Sequence, residues 1–143
     1  MKIKVWILLV VILATSFRSF AQVNSEERSS TEHIDYRIKE VYGAYLSELI
    51  KKPIVLQTIT DIVQKRTEIL IEPYFPQEKI AKLSDYPLFN VYNTELTRDI
   101  EINPYTFNVL KYDLPFFPKS PTKYRIDGTD YIIVIYPFEQ VKP

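Results

Sequence analysis

The chain has 143 residues, with no cysteine, one histidine, two glycines and ten prolines. This length suits a single domain. The missing cysteines exclude a disulfide scaffold, thiol catalysis and cysteine-bound zinc, and one histidine excludes metal sites that need two or more. Positive and negative side chains are equal at 18 each, so the composition does not indicate the clustered basic surface of a nucleic-acid binder.

The N-terminus is typical of a secretory signal peptide. Two lysines precede an unbroken apolar run over residues 5–14, and residues 19–21 (Ser-Phe-Ala) place small side chains at −3 and −1 of a cut before Gln22. An uncleaved membrane anchor is the alternative, but it needs about 20 apolar residues, and Arg18 interrupts this run. We therefore expect cleavage after Ala21 and an exported, periplasmic or extracellular chain with no membrane span after cleavage.

The next segments predict a polar leader followed by a helix. Residues 22–31 are polar and have no period, which is typical of a flexible leader before a single domain over 32–143. Apolar residues at three- and four-residue steps predict an amphipathic helix over 32–51 that ends before Pro53. That apolar stripe consists of Ile34, Ile38, Val41, Tyr42, Tyr45, Leu46 and Leu49. Mixed charge on the opposite face favours packing on the core over docking on a membrane or partner.

Two interpretations stay open for residues 54–66. The spacing of the apolar residues fits a short helix that begins near Thr58, whereas residues 54–56 also suit a strand. Residues 67–71 (TEILI) are short, apolar and β-branched, which predicts a strand.

Prolines divide residues 73–118 into short pieces. Within this region, residues 77–83 are expected to form two turns of helix and residues 107–112 a strand. Seven of the ten prolines adjoin an aromatic residue: the pairs are Pro73-Tyr74, Phe75-Pro76, Tyr86-Pro87, Pro104-Tyr105, Pro115-Phe116, Phe117-Pro118 and Tyr136-Pro137. Such residues either hold long loops on the core or present stiff contact surfaces to a partner, and we favour the first interpretation because buried aromatic residues dominate core energetics.

The C-terminal segment predicts a β-hairpin over 122–136 on a two-residue type I′ turn at Asp127-Gly128. In that register Ile126 faces Thr129, Arg125 faces Asp130, and Tyr124 faces Tyr131. The second strand is apolar on both faces, so it is expected at the centre of its sheet. The predicted class is α+β, with the 32–51 helix packed on a small antiparallel sheet and with long loops rich in proline and aromatic residues.

Few side chains suggest catalysis. His33 falls at the predicted helix start, where a solvent-exposed position is expected. Asp99 and Glu101 alternate around Ile100, which places them on one face of an extended segment, about 7 Å apart. They suit either a solvated strand face, which we favour because such faces are common, or a carboxylate pair that serves a small hydrolase or binds a cation. No motif for a cofactor, metal or phosphate is present.

These observations favour a non-catalytic binding or structural component of a bacterial envelope or secretome, with an enzyme based on Asp99 and Glu101 as the alternative. An inhibitor acting through a stiff aromatic–proline loop belongs to the same binding class. The candidate binding residues are Tyr92, Arg98, Phe116 and Phe117. The expected partner is an envelope or extracellular protein or a glycan. The oligomeric state is left open.

Overall fold

Four strands form one sheet in the order β1-β4-β3-β2. The computed structural model describes residues 33–139, and the strands are β1 (Thr67–Ile71), β2 (Ala81–Lys82), β3 (Thr122–Arg125) and β4 (Tyr131–Ile135). β4 lies between β1 and β3 and pairs antiparallel with both, which confirms its predicted central position. β2 pairs with β3 in parallel, so the prediction of a purely antiparallel sheet is wrong at this edge.

The helical segment before the sheet is divided, where one helix over 32–51 was predicted. α1 spans Tyr36–Tyr42, a 3-10 turn spans Gly43–Tyr45, and α2 spans Leu46–Ile50. The division falls at Gly43, whose φ of +47° lies in the left-handed region that a residue with a Cβ rarely adopts. α1 begins at Tyr36 because the Asp35 carboxylate accepts a hydrogen bond from the Arg37 amide. His33 precedes this start and is exposed.

Residues 54–66 belong to a third helix, α3, which spans Pro53–Lys65. Pro53 therefore begins a helix as well as following one, because its missing N–H and fixed φ suit the first helical position. The strand interpretation of residues 54–56 is wrong, and the helix begins five residues before the predicted Thr58. β1 follows α3 directly, over the predicted residues.

The β3–β4 hairpin forms, but its register differs by two residues from the prediction. Tyr124 lies opposite Ile133, and Arg125 lies opposite Ile132, so the loop has four residues rather than two. A type I′ turn needs positive φ at both central residues, and only Gly128 has it, at +69°. The wider loop is held by its two aspartates: Ser84 donates to the Asp127 carboxylate, and the Glu72 amide donates to the Asp130 carbonyl.

Two further predictions in the proline-rich region are wrong. Residues 77–83 contain β2 and the start of a 3-10 turn (Leu83–Asp85) rather than a helix. Residues 107–112 form a 3-10 turn (Val109–Lys111) rather than a strand, because the Asn108 side chain accepts a hydrogen bond from the Leu110 amide and caps the turn.

Loop side chains fill much of the core beneath the sheet. Tyr124, Ile133 and Ile135 point to one face of the sheet and pack against the 107–114 segment. The buried residues of this cluster are Leu83, Phe107, Val109, Tyr112, Leu114, Tyr124, Ile126, Ile133 and Ile135. α1 packs against the Val109–Lys111 turn, and α2 packs against α3. The protein is thus a mixed helix-and-sheet fold, as predicted.

The N-terminal predictions concern residues that the structure does not describe. The signal peptide over 1–21 and the leader over 22–31 both lie outside residues 33–139. The compact unit begins at Asp35. Within the described range, every helix is too short or too polar to cross a bilayer.

Candidate functional site: an apolar groove beside α3

An apolar groove of about 340 Å³ lies between α3 and the segment that leads from the Val109–Lys111 turn to Pro118. We refer to it as the α3 groove. Its lining residues are Tyr42, Ile54, Val55, Thr58, Ile59, Ile62, Phe89, Leu110, Tyr112, Asp113, Phe116 and Phe117. Asp113 is the only charged residue among them. A small-molecule or peptide site typically has this mainly apolar lining with few polar groups.

One wall of the groove is a face of α3. The lining side chains of α3, from Ile54 to Ile62, recur at helical spacing and therefore share one face of the helix. Their burial differs between the two ends of that face. Ile59 and Ile62 are buried, whereas Ile54 is 82% exposed and Val55 is 46% exposed. The first turn of α3 therefore presents apolar side chains to solvent at the rim of the groove.

A second part of the lining is formed by Phe116 and Phe117, which lie between two prolines in the sequence Pro-Phe-Phe-Pro. Prolines restrict the backbone on both sides. Arg66 fixes the segment further, because its guanidinium donates to the Phe116 carbonyl at 2.6 Å and lies 5.3 Å from the Phe117 ring centroid. Phe117 is nevertheless 66% exposed. This part of the lining is thus a constrained loop that leaves a phenyl ring available to a ligand.

Tyr112 is the buried aromatic residue of the lining. Its ring stacks on Phe107 at a centroid distance of 5.6 Å, and its hydroxyl donates to the Asp99 carboxylate at 3.0 Å. Burial raises the pKa of Tyr112 to about 12, so the phenol is neutral at physiological pH. These contacts hold the ring in place.

Aromatic contacts support part of the groove lining. Tyr42 and Phe89 line the groove, and Tyr92, which does not, contacts both rings at centroid distances of 5.2 Å and 5.8 Å. Tyr92 also stacks on Tyr45 at 4.2 Å. Burial raises the pKa of Tyr42 to about 12. Tyr92, a predicted binding residue, therefore supports the groove lining.

Arg98, the other predicted binding residue that does not line the groove, forms contacts within the protein. Its guanidinium donates to the carbonyls of Leu83 and Tyr86 and lies 5.4 Å from the Tyr112 ring centroid. It joins the 83–86 segment to Tyr112. Of the four predicted residues, Phe116 and Phe117 line the groove, and Tyr92 and Arg98 contact residues of its lining.

Sequence reasoning missed the α3 wall and Asp113. The available signal was the adjacent Ile54-Val55 pair at a helix start after Pro53, where polar residues are usual. Asp113 has exposed side-chain atoms at the rim, and no described residue donates a hydrogen bond or forms a salt bridge with its carboxylate.

Asp99 and Glu101 do not line the α3 groove. The Asp99 carboxylate accepts hydrogen bonds from the Lys111 ammonium at 2.6 Å and from the Tyr112 hydroxyl, while Glu101 is exposed. Glu40 adds a second carboxylate 3.7 Å from the Lys111 ammonium. Asp99 thus neutralises a lysine whose side chain is only 6% exposed. Across the described part of the chain, no group of three acidic or histidine side chains is placed to hold a metal ion.

Two other cavities are more polar. One, of about 490 Å³, lies at the β3–β4 loop, and its Arg125 forms two hydrogen bonds with the Glu78 carboxylate, at 2.7 and 2.6 Å. Arg125 therefore pairs with Glu78 and not with the predicted Asp130. These hydrogen bonds hold the pKa of Glu78 below its ordinary value. The other cavity, of about 330 Å³, follows β1.

Comparisons of the chain with protein-family models, with curated proteins and with solved structures find no match.

Proposed function

We propose that this protein is a non-catalytic binding module of the bacterial envelope or secretome, and that the α3 groove receives an apolar segment of a protein partner. The observation that carries the proposal is an open apolar groove with apolar side chains exposed at its rim. Soluble proteins rarely leave such patches uncovered unless the patch binds something.

The rim favours a protein segment over an enclosed small molecule or a glycan. Ile54 and Phe117 both line the groove, come from separate segments, and are 82% and 66% exposed. A small ligand confined to the groove would cover only the parts of these side chains that face it, whereas a longer peptide segment would also cover their outer surfaces. Burial of apolar surface contributes about 25 cal/mol per Å², so covering this rim adds to affinity.

The charge of the groove lining indicates which partner residues would bind there. Asp113 is the only charged group of the lining, and no described residue pairs with its carboxylate. A basic residue in the partner would satisfy it, whereas an acidic one would be repelled. The proposed partner segment therefore carries apolar side chains and a lysine or arginine.

Export is the second part of this proposal. The first 21 residues support it through their positive start, apolar run and small residues before Gln22. An exported module would meet envelope or extracellular proteins in the periplasm or outside the cell. An inhibitor would use the same groove, with its target as the partner.

Two synthetic peptides test the charge requirement. Both carry the same leucine- and phenylalanine-rich run and one tryptophan, and they differ only in a lysine or a glutamate beside the run. The only tryptophan of the protein is Trp6, inside the predicted signal peptide, so peptide fluorescence reports binding to the processed chain without background. The protein is purified from cells that express the full chain, and its intact mass reports whether cleavage after Ala21 has occurred.

We expect the lysine peptide to bind wild type about two- to fivefold more tightly than the glutamate peptide, the size of an exposed ion pair. In Asp113→Asn the preference for the lysine peptide should disappear. Glu95→Gln is the control, because it neutralises an exposed acidic residue that does not line the groove, and it should retain the preference. Failure of both peptides to bind wild type, or tighter binding of the glutamate peptide, would contradict the proposal.

A further inference from the structure

The outer edge of β1 is available for pairing. β1 lies at one end of the strand order, so within residues 33–139 only one of its two edges is paired. The Tyr136 amide donates to the Arg66 carbonyl, and the Glu72 amide donates to the Asp130 carbonyl. Hydrogen bonding alternates along an antiparallel strand, so the even-numbered residues of β1 bond to β4. The backbone groups of Thr67, Ile69 and Ile71 therefore point away from the sheet.

A cavity runs along this free edge. It is lined by Thr67, Glu68 and Ile69 of β1. Consecutive strand residues point to opposite faces, so a cavity lined by all three lies beside the strand rather than beneath one face. The other lining residues are Arg37, Val63, Gln64, Pro104, Phe107 and Val109. The cavity thus adjoins the Thr67 end of β1 and includes apolar side chains.

The opposite end of β1 projects an apolar side chain. Ile71 is 74% exposed, the most exposed residue of the strand, and lies on the same face of the sheet as Thr67 and Ile69. Leu70 is also partly exposed, at 38%. One end of the edge therefore has a cavity, and the other end has an exposed isoleucine.

We propose that two copies of this chain pair through β1, antiparallel and two-fold symmetric about Ile69, to form a continuous eight-stranded sheet. In this register Ile71 of the second copy lies opposite Thr67, beside the edge cavity. The symmetry repeats the same contact at the other end, so both cavities and both isoleucines are used. Such a reciprocal match is the requirement for an isologous interface.

The same register places no like charges directly opposite each other. Arg66 falls opposite Glu72 of the second copy at each end, and Glu68 falls opposite Leu70. The Arg66 guanidinium is buried against the Phe116 and Tyr136 carbonyls, and the Glu72 carboxylate pairs with Lys123. The register therefore avoids direct charge repulsion between neighbouring strands, and the Ile71 contact carries the pairing.

Molar mass in solution tests this pairing, with protein purified from cells that express the full chain. We expect wild type to show twice the chain mass by light scattering, with dissociation on dilution. Ile71→Lys should weaken the dimer at least about tenfold, since it replaces the projecting apolar side chain by a charge, while Ile71→Val should retain it. Ile100→Lys is the matched control, because Ile100 is 99% exposed and neither belongs to the sheet nor lines the edge cavity.

Three results would overturn the pairing. The first is a wild-type protein that stays monomeric at the highest concentration reached. The second is a folded Ile71→Lys variant, verified by circular dichroism, that dimerises as tightly as wild type. The third is a dimer lost in Val55→Asp but not in Ile71→Lys, which would place the interface at the α3 groove. The pairing does not depend on the proposed function, because peptide binding and dimer mass are measured separately.

Discussion

The ion pair between Lys111 and Asp99 explains the position of one predicted catalytic carboxylate. The Lys111 side chain is only 6% exposed, and its ammonium lies 2.6 Å from the Asp99 carboxylate and 3.7 Å from that of Glu40. A buried ammonium is costly unless a carboxylate stays beside it. Asp99 therefore has a structural task that accounts for its position without a catalytic role.

We predict that Asp99→Asn lowers the free energy of unfolding by about 1–3 kcal/mol, because the isosteric amide removes the charge beside Lys111. Glu101→Gln, at an exposed position on the same segment, should change it by less than about 0.5 kcal/mol. Urea unfolding of the two variants measures both values. Equal free energies of unfolding for the two variants, together with hydrolase turnover that is lost in Asp99→Asn, would instead support an enzyme based on Asp99 and Glu101.

The candidate residues differ in how well the sequence could locate them. Phe116 and Phe117 stand between prolines, and both line the α3 groove, with Phe117 66% exposed. Arg98 and Tyr92 were expected at the surface because their segment is polar, and both are exposed. Their contacts were not predictable, because they involve other segments of the chain: the Tyr86 carbonyl for Arg98 and the Tyr45 ring for Tyr92. Local pattern cannot encode such contacts.

At the scale of elements, Gly43 decides whether the first helical segment is one helix or two. Its φ of +47° with ψ of −125° ends α1 and turns the chain toward α2. A Cβ at this position would meet Asn93 and the Tyr92 carbonyl only at ordinary contact distances, so backbone conformation, not space, is the constraint.

We predict that Gly43→Ala destabilises the protein by about 1–3 kcal/mol, because φ of +47° with ψ of −125° is a conformation that a residue with a Cβ adopts only under strain. A continuous helix predicts the opposite sign, since alanine is about 1 kcal/mol better than glycine inside a helix. Chemical denaturation of the two proteins separates these cases, and a stabilised variant would contradict the observed break.

Elements with strong local patterns were predictable, and elements fixed by distant contacts were not. β1 and β4 are short β-branched runs, and β4 is apolar on both faces, so their type and the central place of β4 followed from sequence. The hairpin register did not follow, because Asp127 and Asp130 bind Ser84 and the Glu72 amide instead of closing a tight turn. The short β2 likewise depends on its pairing with β3.

At the scale of the whole molecule, the α3 groove is assembled from segments far apart in the chain. Tyr42 comes from α1, Ile54 from α3, Phe89 from the loop after β2, and Phe117 from the segment before β3. Composition and periodicity could exclude thiol, multi-histidine and phosphate-loop chemistry and favour binding. They could not reveal the groove, because its walls meet only when the fold is complete.

Binding of an apolar segment in this groove is best tested by the affinity of the lysine peptide for Phe117→Ala. Phe75→Ala is the matched control, since Phe75 is 60% exposed, close to the 66% of Phe117, and does not line the groove. We expect Phe117→Ala to weaken binding at least about tenfold, the loss typical of an aromatic anchor, and Phe75→Ala to change it by less than about twofold. Equal affinity for wild type and both folded variants would contradict binding in this groove.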